Sequence, residues 1–127
     1  LTPYLVEGDT LPEPRRVFSS EIAATMRKML EYVVQQGHLN TIMPSELNVA
    51  GKTGTADSYD TRQGKYIDDY TLSFAGFFPA NNPTITMVVS VQKATKATMS
   101  TFVSAPLFAT IAKDMSALLQ PDGTLLV

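Results

Sequence analysis

The chain has 127 residues, enough for one domain with a sizeable core, and its 44% hydrophobic content is that of an ordinary globular protein. A net charge of −2 gives no electrostatic footprint for nucleic acid, and no run of 18 apolar residues is present to cross a membrane. The absence of Cys excludes disulfides and thiol catalysis, and a single His without Cys argues against a structural zinc site, so neither a metal nor an organic cofactor is implied.

Residues 1–18 carry Pro3, Pro12 and Pro14 with Gly8-Asp9 between them, and read as an irregular lead-in. Arg15-Arg16 reads as its solvated end. The opening Leu-Thr-Pro-Tyr has no Met and no basic-then-apolar signal pattern, so the sequence is expected to be the interior of a longer protein.

A helix is predicted over about 20–36. Ser19 or Ser20 caps it, and Glu21 places a negative charge in its first turn. Ile22, Met26, Met29, Leu30, Val33 and Val34 make one apolar face, which is expected to pack on the core, and Gly37 ends the helix. His38 follows in a loop without a Ser-His-Asp context, so it is not read as a general base. Pro44 closes this connection.

The next stretch, residues 48–57, asks for a chemical explanation. An ordinary buried strand carries β-branched and aromatic residues. Here Lys52, Thr53 and Thr55 stand among Ala50, Gly51, Gly54 and Ala56. Gly within a strand marks a place where a ligand or another backbone comes close. A cation, two hydroxyls and an uncovered main chain suit an edge strand that receives an anionic, peptide-like ligand. The structural alternative is that Lys52 is an exposed edge-strand lysine, a common guard against aggregation.

Residues 58–69 are polar and turn-rich, with Asp60, Gly64, Asp68 and Asp69, and read as a long hairpin loop that either shapes access to the strand or is a surface hairpin. Asp68-Asp69 reads as a solvated acidic turn. A strand follows over 70–78, then a turn at Pro79-Ala80-Asn81-Asn82-Pro83, then a strand over 84–93 with Ile85, Met87, Val89 and Val91 on one face and Val88 on the other. Apolar residues on both faces suit central strands covered by helices. After a loop over 94–100, a last helix is predicted over about 101–119. Pro106 sits in its first turn, Phe108, Ile111, Ala112, Met115, Leu118 and Leu119 form its stripe, and Pro121-Asp122-Gly123 stops it. The fold class is α+β, an antiparallel sheet flanked by helices in the order helix, three-strand meander, helix.

Lys52-Thr53-Gly54, within Val49-Ala50-Gly51-Lys52-Thr53-Gly54-Thr55-Ala56, resembles the K-T-G strand of the class B penicillin-binding proteins, the septal and elongation-type peptidoglycan D,D-transpeptidases. Gly64-Lys65-Tyr66-Ile67, then Phe74 to Ala80, then Ser104-Ala105-Pro106-Leu107-Phe108 follow in the order expected of that family. The resemblance runs from about Arg15 onward. It implies the C-terminal part of a β-lactamase/transpeptidase-like domain, in which a serine attacks the D-Ala-D-Ala carbonyl of a stem peptide and forms an acyl-enzyme. By the same resemblance, Lys52 faces the site with its positive charge, and Thr53 and Thr55 offer hydroxyls to the substrate carboxylate. The Thr55 N–H is half of the oxyanion hole. A peptide or a β-lactam pairs along Lys52, Thr53, Gly54 and Thr55 as an added strand. Lys52 and Thr53 are neighbours and point to opposite faces of an ideal strand, so such a site has to wrap around the strand's edge.

The nucleophile is not found in this chain. Its one Ser-x-x-Lys, Ser90-Val91-Gln92-Lys93, lies after the K-T-G motif and within a predicted strand, and no Ser-x-Asn is present. The serine is therefore expected upstream or on a companion chain carrying the N-terminal part of the protein, with the isolated chain inactive. The apolar edge at 84–93 points the same way, since it calls for a strand to cover it. The resemblance also implies β-lactam binding, cell-division or elongation proteins as partners, and the outer face of the cytoplasmic membrane as the place of action. Two other readings stand beside it: a serine β-lactamase or D,D-carboxypeptidase, and a non-catalytic β-lactam sensor or peptide-binding relative.

Overall fold

The computed structural model describes residues 13, 15–94 and 96–118. Most of the lead-in, Leu119 and the stop at Pro121-Asp122-Gly123 lie outside them.

Helix α1 spans Ser20–Gln36, as its spacing predicts. The Ser19 hydroxyl accepts the Ile22 N–H at 3.2 Å, satisfying one of the orphan donors of the first turn. The packing of α1 differs from expectation. Val34 is its buried residue, whereas Ile22, Met26, Met29 and Val33 are 52%, 49%, 57% and 36% exposed. Periodicity decides which residues share a face, and these four do; it does not supply a neighbour to cover them.

Two 3-10 turns, His38–Thr41 and Ser45–Leu47, bury Leu39, Met43 and Leu47 and lead to the sheet. His38 is exposed and its carbonyl accepts the Thr41 hydroxyl at 2.9 Å, in keeping with a connecting role. Asn48 adopts φ +46°, a left-handed conformation that Asn tolerates, and its carbonyl accepts the Ala80 N–H at 2.7 Å.

Strands β1 (Ala50–Asp60), β2 (Lys65–Phe78) and β3 (Ile85–Ala94) form an antiparallel meander in the order β1-β2-β3. The loop expected over 58–69 is therefore only residues 61–64. Ser58, Tyr59 and Asp60 pair with Ile67, Tyr66 and Lys65. This end of the hairpin has no buried face, so it lacks the apolar alternation that betrays a strand in sequence. Gly64, at φ +64°, closes the turn and donates its N–H to the Asp60 carbonyl at 2.8 Å. Asp68 and Asp69 are not a turn. They are two extra residues of β2 between the pairs Asp57–Tyr70 and Ser58–Ile67, and one carboxylate oxygen of Asp69 is buried without a hydrogen-bond partner.

On one face of the sheet Leu72, Phe74 and Phe78 of β2 lie beside Val91, Val89 and Ile85 of β3. Helix α2 (Ser104–Ser116), entered through a 3-10 turn at Ser100–Phe102, packs Ala105, Phe108, Ala109 and Ala112 into the same core. The Phe108 ring meets Phe74 edge-on at 4.7 Å and Phe78 at 6.2 Å, a geometry the ring quadrupole favours. Pro106 is the third residue of α2, where its missing N–H breaks no helical bond. Only β2 is central. Among the described strands β3 is an edge, and Val88 on its second face is 65% exposed beside exposed Thr86 and Ser90. The expectation of two covered faces therefore fails for β3, because a lone outward Val in a polar row does not make an apolar face.

Candidate active site

β1 is the other edge of the described sheet, so the Lys52–Thr55 main chain has a strand on one side only. The cross-strand register sorts its side chains. Thr53 and Thr55 pair with Phe74 and Leu72 and share the core-facing side; Lys52 and Gly54 pair with Ala75 and Ser73 on the other. Lys52 and Thr53 do point apart, and the long lysine stem overcomes this. Its Nζ folds around the edge and donates to the Thr53 carbonyl and to Thr53 Oγ1, both at 3.2 Å. An ammonium and a hydroxyl thus meet at one point of the strand's open side.

Two serines complete the constellation, and the sequence did not reveal either. Ser73 Oγ donates to the Gly54 carbonyl at 3.3 Å, and Ser100 Oγ donates to the same carbonyl. Ser100 Oγ also lies 3.0 Å from Thr55 Oγ1. Ser100 is 2% exposed, and its own carbonyl accepts the Ser104 hydroxyl at 3.2 Å, so it is anchored to the start of α2. Ser73 could have been found once Gly54 was placed opposite it in register. No local signal links Ser100 to Thr55, 45 residues earlier in the chain.

The glycines separate into different causes. A Cβ on Gly54 would stand 2.7 Å from Ser73 Oγ, so this glycine leaves room for the hydroxyl that holds its carbonyl. A Cβ on Gly51 would come within 2.6 Å of the Phe74 ring and the Ala75 carbonyl oxygen. Gly51 therefore admits a core ring rather than a ligand, and its place in the ligand-approach reading is corrected. Ser90-Val91-Gln92-Lys93 lies in β3, where Lys93 has φ +56° and Gln92 and Lys93 together oppose Thr71 at a bulge. Ser90 is exposed and sits at no helix N-terminus. Among the described residues, no group of His, Cys, Asp and Glu is arranged to hold a metal, and no helix is long and apolar enough to cross a membrane.

Comparison with known proteins fits this geometry. The family model of the penicillin binding protein transpeptidase domain matches residues 1–113. The chain is 30% identical over 115 residues to the peptidoglycan D,D-transpeptidase FtsI of Buchnera aphidicola, covering 87% of this chain and 20% of that protein. It superposes on the transpeptidase domain of Burkholderia pseudomallei penicillin-binding protein 3 with a TM-score of 0.71 at 35% identity, covering 90% of this chain and 35% of that one. With the ampicillin complex of Mycobacterium tuberculosis penicillin-binding protein 3 the TM-score is 0.65 at 33% identity, covering 84% of this chain and 27% of that one. The curated relatives it matches are much longer proteins, of which it spans 13% to 20%. An edge strand bearing Lys-Thr-Gly-Thr, a helix-covered antiparallel sheet and a family match over residues 1–113 converge on one conclusion: the chain belongs to the penicillin-binding protein transpeptidase domain family.

Proposed function

We propose that this chain is the part of a peptidoglycan D,D-transpeptidase that presents the Lys52–Thr55 strand edge to an acyl-enzyme formed on a serine from the rest of the domain. The observation that carries the reading is the meeting of the Lys52 ammonium with the Thr53 hydroxyl on the open side of β1. A stem peptide ending in D-Ala-D-Ala, or a β-lactam, lies along β1 as an added strand, its carboxylate drawn to this cation and hydroxyl. The Thr55 N–H supplies one half of the oxyanion hole, and the serine's own N–H supplies the other.

The remaining part of the domain is the companion this reading requires. Two features of the surface support it. The exposed stripe Ile22, Met26, Met29 and Val33 on α1 is apolar and uncovered. The β3 edge leaves its main-chain groups without a neighbouring strand among the described residues. The assembled protein acts at the outer face of the cytoplasmic membrane, and cell-division or elongation proteins are its further partners. By itself the chain is inactive.

Native mass spectrometry of the protein before and after benzylpenicillin tests this. A single drug mass gained by the segment carrying the upstream serine, with none on these 127 residues, is the expected outcome. An adduct on this chain itself overturns the placement of the nucleophile.

A further inference from the structure

We propose that Ser100 is a positioning residue that claims the hydroxyl proton of Thr55, so that Thr53 and not Thr55 is the hydroxyl that donates to a ligand carboxylate. The inference deepens the function proposed above and rests on it.

The argument is a count of protons. A carbonyl oxygen only accepts, so in the contact between Ser100 Oγ and the Gly54 carbonyl the serine is the donor. A hydroxyl has one proton. Ser100 has none left for Thr55, and the 3.0 Å contact between the two hydroxyls is therefore Thr55 donating to a Ser100 lone pair. What Thr55 shows to its exposed side is lone pairs, which repel a carboxylate. Thr53 is arranged in the opposite sense. Its Oγ1 accepts from Lys52 Nζ at 3.2 Å. Its own proton has no acceptor among the described residues, so the ammonium turns that proton outward. The resemblance assigns both hydroxyls to the carboxylate; the hydrogen bonds divide them. Thr53 recognises the anion. Thr55, held by Ser100, and Gly54, held by Ser73 and Ser100, fix the direction of the main chain that carries the Thr55 N–H. Ser100 holds its own place through Ser104, whose hydroxyl donates to its carbonyl from the first turn of α2.

The test uses the complete transpeptidase that contains this chain and two probes, benzylpenicillin and its uncharged methyl ester. The readout is the second-order rate constant of acylation for each. Thr53→Val is expected to slow acylation by the acid about tenfold more than by the ester, the scale of a hydrogen bond to a charged group. Thr55→Val and Ser100→Ala are expected to slow both probes equally, by about tenfold, as a small misplacement of a donor does, and to leave the acid-to-ester ratio unchanged. Thr55→Ser keeps the hydroxyl and the wild-type rates. The double variant Thr55→Val with Ser100→Ala is no slower than either single one, because both remove the same link. Thr55 is exposed, so its variants read the link even where the loss of buried Ser100 harms folding. The inference is overturned if Thr55→Val lowers the acid-to-ester ratio as Thr53→Val does, or if Ser100→Ala leaves both rates unchanged in a folded protein. An unmodified wild-type protein is a different failure: it removes the proposed function itself, and this inference with it.

Discussion

Gly51 and Gly54 stand three residues apart on one strand and are small for unrelated reasons. Gly51 faces the core and lets the Phe74 ring lie across the sheet; Gly54 faces the other way and clears a space for Ser73 Oγ. In the complete protein Gly51→Ala is expected to cost about 1–3 kcal/mol, the usual penalty of overpacking, as read from a denaturant midpoint shift. Lys52→Ala leaves stability near wild type, since the side chain is exposed, and is expected to lower acylation by benzylpenicillin about a hundredfold or more, as loss of a transition-state electrostatic partner does. At the hairpin tip, the Asp60 carboxylate accepts the Arg62 N–H at 2.8 Å and the Gln63 N–H at 3.2 Å. These bonds favour the ionised form and hold its pKa below the ordinary value. The sign follows. A carboxyl with a lowered folded-state pKa contributes order that is present above its unfolded pKa and lost as pH falls through the folded one. Amide exchange at Arg62 and Gln63 is therefore expected to accelerate only on acidification below the ordinary Asp range, and Asp60→Asn is expected to abolish that pH dependence.

At the scale of elements, the β1–β2 hairpin extends past the sheet's core through Tyr59 and Tyr66, whose rings meet edge-on at 5.2 Å while 54% and 69% exposed. An isolated two-stranded tip is marginal in water, and this cross-strand pair is what holds it in register. Tyr66→Ala is expected to remove about 0.5–1.5 kcal/mol of local stability, seen as faster exchange over 58–67 with little change in global unfolding. The opposite case is Phe108, fully buried between Phe74 and Phe78. Phe108→Ala is expected to cost about 3–5 kcal/mol, measured as the loss of global stability in denaturant. Helix α1 shows the limit of reading an element by its pattern. Its caps and length follow from Ser19, Glu21 and Gly37, yet the stripe beginning at Ile22 meets no core among the described residues.

At the scale of the whole molecule that stripe becomes a prediction. With the rest of the domain docked on α1, Met26→Glu places a charge in an apolar interface and is expected to cost about 1–3 kcal/mol in thermal unfolding of the complete protein. A change within about 0.5 kcal/mol, the range of ordinary surface substitutions, contradicts that docking. What the sequence determined by itself was local or periodic: the capped helix, the three strands and their turn residues, the Pro in the first turn of the last helix, and the Lys-Thr-Gly-Thr segment, whose composition fits no ordinary strand. These are legible because caps, turns and alternation act between residues a few positions apart. What only tertiary structure decided depends on partners far along the chain. The hairpin runs out to Asp60 because Tyr59 meets Tyr66 across the turn, Gly51 is small because Phe74 needs its space, and the folding of Lys52 around the strand edge follows from side-chain reach rather than from pattern. Ser100 joins Gly54 and Thr55 because helix α2, seated by Phe108 on the phenylalanine core, carries the preceding turn back over β1. A hydrogen bond between residues 45 positions apart has no signature in either local stretch, since the geometry that makes it is created by the packing between them.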